Sequence, residues 1–214
     1  MLFVKETVMK IRLLGKNLEE LKKLVAEEGL PGFTAKQIAQ WLYVKKVRSI
    51  DEMTNLSKAA RAALSEKYEV GLSEYAGLQI SSDGTKKYLF PVKCSHRRGL
   101  NVKTDESELE ASAVEAVMIP DDDRATLCVP SQAGCRMGCK FCASTLNGRA
   151  RDLSAGEILS QVITAQKDIG ERIDNIVMMG IGEPLDNYKN VIRFLELVGA
   201  KGGLNIGYRH ISLS

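Results

Sequence analysis

Four of the five cysteines in this chain, Cys128, Cys135, Cys139 and Cys142, crowd into one short segment, while Cys94 stands apart. An odd count fits poorly with complete disulfide pairing. Crowding of this kind points to a metal site or redox chemistry in a reducing compartment. Three of the thiols lie in Cys135-Arg136-Met137-Gly138-Cys139-Lys140-Phe141-Cys142, a loop that follows a short apolar strand at 126–129. Three thiolates can hold three irons of a four-iron cluster and leave one iron open to a small ligand. Gly134 and Gly138 let the backbone wrap closely, and Phe141 is placed to shield a cluster from water. Structural zinc wants four ligands, usually in paired sets. Cys128 is the candidate fourth, awkwardly placed on the preceding strand. Core cysteines are the remaining reading, against which stand the neighbouring Gly, Arg and Lys.

The chain around this loop alternates strand and helix. Ser154-Ala155-Gly156-Glu157 reads as a capping box opening a helix with Ile158, Leu159, Val162 and Ile163 on one face. Residues 175–180 read as a strand buried on both faces. Asn187 precedes a helix bearing Val191, Ile192, Leu195 and Val198, which Gly202-Gly203 ends, and residues 209–214 begin a third strand. Strand, helix, strand, helix, strand is the signature of a parallel sheet.

Before this run the pattern differs. Residues 78–81 and 86–92, joined through Asp83-Gly84, predict a hairpin, and 114–120 predicts a further strand with Val114, Ala116 and Met118 alternating. The polar stretch 95–112 has the composition of a surface loop and looks like an insertion. The first third is helical. Asn17 caps a helix through Leu18, Leu21, Leu24 and Val25 that Gly29 ends; Thr34 caps a second with Ile38, Trp41 and Leu42; a third covers 58–68. With Lys45, Lys46 and Arg48 beside them, these helices suit either a module touching a phosphate backbone or a cap that packs on the rest.

Composition narrows the class. Of 214 residues, 44% are apolar and 27% charged, which is enough apolar surface for a core and excludes disorder throughout. No run approaches the length of a membrane span, and no export signal is visible, so a cytoplasmic location is expected. A net charge of +3 permits a nucleic-acid partner without arguing for one.

The spacing Cys-x-x-x-Cys-x-x-Cys resembles that of radical S-adenosylmethionine (SAM) enzymes. Met179-Gly180-Ile181-Gly182-Glu183-Pro184, after the second strand of the parallel run, resembles their SAM-binding turn. The segments Asp83 to Phe90, Val114 to Pro120, Thr126 to Cys135, Arg151 to Ile158 and Met179 to Leu185 are more specific. They resemble the RlmN/Cfr family of radical SAM methyltransferases, and most of all its RlmN branch. The resemblance runs from about Asp83 to Ser214, and the helical third is similar, less specifically, to the family's accessory domain.

That resemblance implies the N-terminal part of a partial (βα)6 barrel, an α/β fold preceded by a small helical domain and a β-hairpin extension. The domains expected are 1–75 (helical, RNA-binding), 76–124 (β extension with the insertion) and 125–214 (radical SAM core, incomplete). It implies methylation of C2 of adenosine in 23S ribosomal RNA, and in some members also of transfer RNA, through a methyl-cysteine intermediate. It implies a [4Fe-4S] cluster and SAM as cofactors, an electron donor such as flavodoxin, no membrane association and a monomer. Residue by residue, Cys135, Cys139 and Cys142 match the cluster ligands. Gly182, Glu183 and Ser214 match SAM contacts. Glu115 matches the proton acceptor, and Cys128 matches the resolving cysteine, which forms a transient disulfide with the methyl carrier. Taken without the family, Glu115 also reads as an exposed strand residue, Cys128 as a core thiol and Ser214 as a frayed end.

The sequence departs from the family in one respect. The methyl-carrying cysteine and the remaining barrel strands lie beyond Ser214 in relatives, and Cys94 is in the wrong region to replace the carrier. The chain is therefore expected to be a truncated copy or an incomplete sequence. The other readings are an inactive RNA-binding fragment, the C8-methylating branch of the family, and a radical SAM activase, for which no peptide-binding feature is seen.

Overall fold

The computed structural model describes residues 10–92, 113–121, 124–146 and 148–214. Cys94 and the polar stretch 95–112 lie outside the described residues. The chain divides into two compact units, Met1–Gly71 and Leu72–Ser214.

In the first unit, β1 (Ile11–Arg12) pairs in parallel with β2 (Tyr68–Glu69). Between them lie α1 (Leu18–Glu27), α2 (Thr34–Ala39), which continues as a π-helical turn over Gln40–Lys45, and α3 (Lys58–Lys67). Asn17 and Glu20 close a reciprocal capping box at α1: the Asn17 side chain accepts from the Glu20 N–H at 2.9 Å, and the Asn17 N–H donates to the Glu20 carboxylate at 2.8 Å. Thr34 does not cap α2. It is the first helical residue, behind Phe33, and it is buried. The turn carbonyls of Pro31 and Gly32 take the Thr34 and Ala35 N–H groups, so the helix start needs no hydroxyl. Leu21, Leu24, Val25, Ile38, Leu42 and Leu64 form the apolar core of this unit.

The second unit is built on a six-stranded mixed sheet. Its strands are β3 (Gly77–Ile80), β4 (Lys86–Pro91), β5 (Ala113–Asp121), β6 (Arg124–Cys128), β9 (Asn175–Met178) and β10 (Ile211–Leu213). A separate ribbon pairs β7 (Gln132–Gly134) with β8 (Arg149–Asp152). The sheet order is β10-β9-β6-β5-β4-β3. The β6, β9 and β10 strands run parallel, and β3 to β5 add an antiparallel extension. Helix α4 (Ala155–Ile169) connects the first two parallel strands and α5 (Tyr188–Gly199) the next two, and the two helices pack on each other. This is a mixed α/β fold with the βαβαβ order of a barrel's first strands. The sheet is continuous through both 76–124 and 125–214.

One face of the sheet is apolar and packs on α4. Tyr88, Phe90, Val114, Ala116, Met118, Leu127 and Ile176 are buried, as period-2 alternation requires. Asp168 of α4 ties that face down, accepting from Tyr75 at 2.9 Å, Tyr88 at 2.9 Å and Lys86 at 2.7 Å. The strand β9 is not buried on both sides as the apolar run Ile176 to Met179 suggests. Val177 is half-buried and Met179, just past the strand, is 63% exposed. The helices cover one face, and the other carries Lys87, Glu115 and Cys128.

Candidate cofactor site

Strand register puts the candidate site residues of the sheet on the face away from α4. Gln79 pairs with Lys87, Lys87 with Val117, Val117 with Cys128, and Cys128 with Val177. Directly paired residues share a face, so Cys128 belongs to the row that carries Lys87. Glu115 is two residues along β5 from Val117, on the same face. Because β5 runs antiparallel to β6, Glu115 lies level with the chain just past Cys128, at the C-terminal end of the parallel strands. Lys87 Nζ pairs with Glu115 at 3.3 Å. Both line a cavity of about 440 Å³, together with Gly77, Gln79, Leu89, Ala113 and Ile181. That is the size of an ordinary small-molecule site.

Ile181 comes from the turn after β9, which is held tightly. The N–H groups of Ser131 and Gln132 both donate to the Ile181 carbonyl, at 3.0 and 3.3 Å. Gly182 has φ +102°, and a Cβ there would stand 2.6 Å from the Gln132 Cβ; no other residue fits. The Glu183 N–H donates to Gln132 Oε1 at 2.9 Å, and one Glu183 carboxylate oxygen accepts from the Leu185 N–H at 3.0 Å. Asn187, which precedes α5, does not cap it. Its buried amide instead donates to the carbonyls of Ser131 at 2.7 Å and Leu153 at 2.8 Å, joining the strand ends to the helix.

The cysteine loop springs from the β7–β8 ribbon. The Cys135 N–H lies within hydrogen-bond distance of the Ser144 carbonyl at 3.0 Å and the Gly148 carbonyl at 3.1 Å. Cys135 is buried, Cys142 half-buried and Cys139 exposed, and all three are free, as is Cys128. The Ser144 hydroxyl, and then its N–H, hold the Cys142 thiol below its ordinary pKa. Burial pushes the Cys128 thiol up against the opposing effect of the Met179 N–H. No disulfide joins the described cysteines, and the transient one expected of Cys128 needs a partner from outside them. Phe141, beside Cys142, is 95% exposed. Ser214 is exposed and follows Leu213, which pairs with Met178, so it lies at the same sheet end as the Gly180–Glu183 turn.

Two family models match the chain. Residues 11–70 match the ribosomal RNA large subunit methyltransferase N-terminal domain, and 129–214 match the radical SAM superfamily. A probable dual-specificity RNA methyltransferase RlmN from Clostridium perfringens (strain 13 / Type A) is 50% identical over 198 residues, covering 92% of this chain and 52% of that protein. The protein of the same name from Bacteroides thetaiotaomicron is 44% identical over 205 residues, covering 96% and 54%. A radical SAM methyltransferase from Sphaerobacter thermophilus, known from its crystal structure, superposes with a TM-score of 0.79 at 33% identity, covering 95% of this chain and 56% of that one. The chain belongs to the RlmN family of radical SAM proteins. It spans about half the length of the curated relatives it matches.

The donor set of this RlmN-family chain suits the cofactors that such proteins carry. Among the described residues no three His, Cys, Asp or Glu side chains are placed to hold one metal ion. A cluster asks for something different, because its thiolates go to separate irons. Three soft thiols on one loop, with Cys135 rooted by backbone bonds and Cys139 exposed, are the donor type and number that such a cluster takes. Among the described residues, no helix is long and apolar enough to cross a membrane. Sequence reasoning assigned no role to Gln132, Asp186, Asn187 or Lys87. Their signal was weak: each is a common polar residue beside a motif, and only the fold shows what it reaches.

Proposed function

We propose that this chain carries the cofactor-binding machinery of an RNA methyltransferase that modifies C2 of adenosine in 23S ribosomal RNA and transfer RNA through a methyl-cysteine intermediate. The observation that carries this reading is the meeting of three features at one end of the parallel strands. These are the cysteine loop, the Gly182–Glu183 turn joined to it through Gln132, and the cavity with Glu115 on its wall. The two family matches and the relatives named RlmN support it.

In this reading Cys135, Cys139 and Cys142 hold a [4Fe-4S] cluster, and Gly182, Glu183 and Ser214 contact SAM. When bound, the pair supplies one-electron chemistry that activates an unreactive methyl group. The remaining work belongs to the chain. Gly182 would let the backbone approach closely, and the Glu183 carboxylate would accept hydrogen bonds from the ammonium of the amino acid moiety. The 440 Å³ cavity admits a purine base. Glu115 accepts the proton that leaves C2, with Lys87 fixing the orientation of its carboxylate. Cys128, on the same face, attacks the sulfur of the methyl-carrying cysteine that the resemblance places beyond Ser214: a disulfide forms as that sulfur's bond to the modified base's carbon breaks, and the carbon keeps the electron pair and takes up a proton. That step frees the product. The helical unit serves as the RNA-binding domain, an electron donor such as flavodoxin feeds the cluster, and the protein acts as a cytoplasmic monomer.

The test is anaerobic reconstitution of the full-length protein with iron and sulfide, followed by mass spectrometry of adenosines in RNA incubated with SAM and a reductant. The reading predicts a cluster chromophore and 2-methyladenosine. A protein that takes up no cluster sinks the cofactor assignment. A methyl group found at C8 corrects the regiochemistry.

A further inference from the structure

Between the cysteine loop and the Gly182–Glu183 turn lies one fully buried polar side chain, Gln132, with 0% exposure. All of its hydrogen-bonding directions that point to protein are used. Nε2 donates to Asp152 at 2.8 Å and to Asp186 at 2.9 Å, and Oε1 accepts the Glu183 N–H at 2.9 Å. Asp186, whose side chain is 8% exposed, also pairs with Arg136, which lies between Cys135 and Cys139 in the loop. Arg149 stands 3.9 Å from the same carboxylate and 2.6 Å from that of Asp152. The Arg136 guanidinium, and then the Gln132 amide, hold the Asp186 carboxyl below its usual range.

One amide thus touches the turn directly and the loop through a single carboxylate. A buried amide of this kind is costly to leave unpaired, so it has one well-defined arrangement when all three bonds form. Charge-assisted bonds to both aspartates make that arrangement stiff.

We propose that Gln132 and Asp186 are positioning residues that lock the cysteine loop to the Gly182–Glu183 turn, fixing the two halves of the cofactor site as one body. This rests on the reading that the loop holds the cluster and the turn holds SAM. The reaction needs the cluster and the bound SAM at a set separation, and misplacement by about 1 Å costs on the order of 100-fold in such chemistry. Neither residue touches reacting atoms in this account; each acts through the segments it joins.

The experiment has two arms on the full-length protein. In the first, hydrogen exchange read by mass spectrometry is compared for the cofactor-free protein and Gln132→Met. Exchange is expected to quicken about tenfold, equivalent to about 1.4 kcal/mol, in peptides covering both 135–142 and 180–186. Peptides of α4 should be unchanged. In the second arm, SAM affinity is measured by calorimetry on cluster-loaded protein, with iron content assayed alongside. Gln132→Met should bind SAM at least tenfold more weakly at unchanged iron content, and the SAM-induced change in the spin-resonance spectrum of the reduced cluster should shrink. If Gln132→Met does not fold, Arg136→Gln replaces it, since that side chain is 59% exposed. It should quicken exchange in the loop and weaken SAM binding at least threefold. Loosening of the turn with an unmoved loop, or SAM affinity within twofold of the unsubstituted protein, overturns the proposal. If the unsubstituted protein binds neither iron nor SAM, the cofactor reading fails, and the exchange arm still decides whether the lock exists.

Discussion

The turn after β9 and the tip of the cysteine loop are two halves of one candidate site, yet they are built in opposite ways. The turn is jammed against its neighbours. A Cβ on Gly180 would lie 2.9 Å from the Pro130 backbone nitrogen, and one on Gly182 would lie 2.6 Å from the Gln132 side chain. The loop tip stands in open space: Gly138 has nothing within 4 Å of its would-be Cβ, Cys139 is exposed and Phe141 is 95% exposed. The loop's root resembles the turn rather than its own tip. A Cβ on Gly134 would fall 2.0 Å from the Gly148 carbonyl oxygen. The protein's own packing therefore shapes the turn and the root, and leaves Cys139 at the tip exposed.

The sharpest way to break this contrast is a pair of alanine substitutions. Gly134→Ala meets both a backbone clash and a φ of +75°. It should cost about 4 kcal/mol, the sum of overpacking and backbone strain. Gly138→Ala, at a φ of +72° but in free space, should cost only about 1 kcal/mol. Urea unfolding of the two variants checks this, and similar midpoints would abolish the distinction between root and tip.

The next largest effect belongs to Asn187. Its amide is buried and donates to two carbonyls, those of Ser131 and Leu153. The Ser131 carbonyl keeps a second donor, the Leu153 N–H at 3.0 Å. Asn187→Ala should therefore cost about 2 kcal/mol, chiefly from the orphaned Leu153 carbonyl. Hydrogen exchange should localise the loosening to the turn and the start of α5, and not to the loop tip.

Much of this frame was legible beforehand, because it rests on local chemistry. The cap at Asn17, the box at Ser154–Glu157, the alternation through Val114, Ala116 and Met118, and the Asp83–Gly84 turn each specify themselves within a few residues. Pairings set by tertiary context were not legible. The strands at Ile11–Arg12 and Gln132–Gly134 are two and three residues long, too short for a periodic signal, and their partners at Tyr68–Glu69 and Arg149–Asp152 are remote in sequence. Thr34 was misread because the preceding turn already supplies the acceptors a cap would provide. The site divided similarly. Cysteine spacing carried the loop, whereas Gln132 and Asp186 look like surface residues until the fold buries them against each other.

Away from the site, Asp168 tests whether the antiparallel extension depends on polar anchoring as the turn does. Burial alone would push its carboxyl up, but Lys86, Tyr88 and Tyr75 outweigh it and hold it below the usual range. The ionised form is thus favoured by folding. Its contribution is present at neutral pH and fades as the pH falls below the ordinary aspartate value of about 3.9 toward the lowered folded one. Asp168→Asn should cost about 1 kcal/mol at neutral pH and flatten the stability profile in that acid window. A profile unchanged by the substitution would show that the extension is held by its apolar face alone.

The smallest effect on stability falls where the chemical effect should be greatest. Cys139 is exposed and makes no hydrogen bond through its side chain to the described residues, so Cys139→Ser should shift the unfolding midpoint of the cofactor-free protein by no more than about 0.5 kcal/mol. The same change replaces a soft thiolate with a hard hydroxyl, which iron–sulfur clusters bind poorly. Iron content after anaerobic reconstitution should collapse while the fold survives. Gly134→Ala should instead lose iron and stability together, because it displaces the root from which the thiols extend. A Cys139→Ser protein that unfolds like Gly134→Ala would show that the loop tip is structural, and that the two halves of the site are built alike.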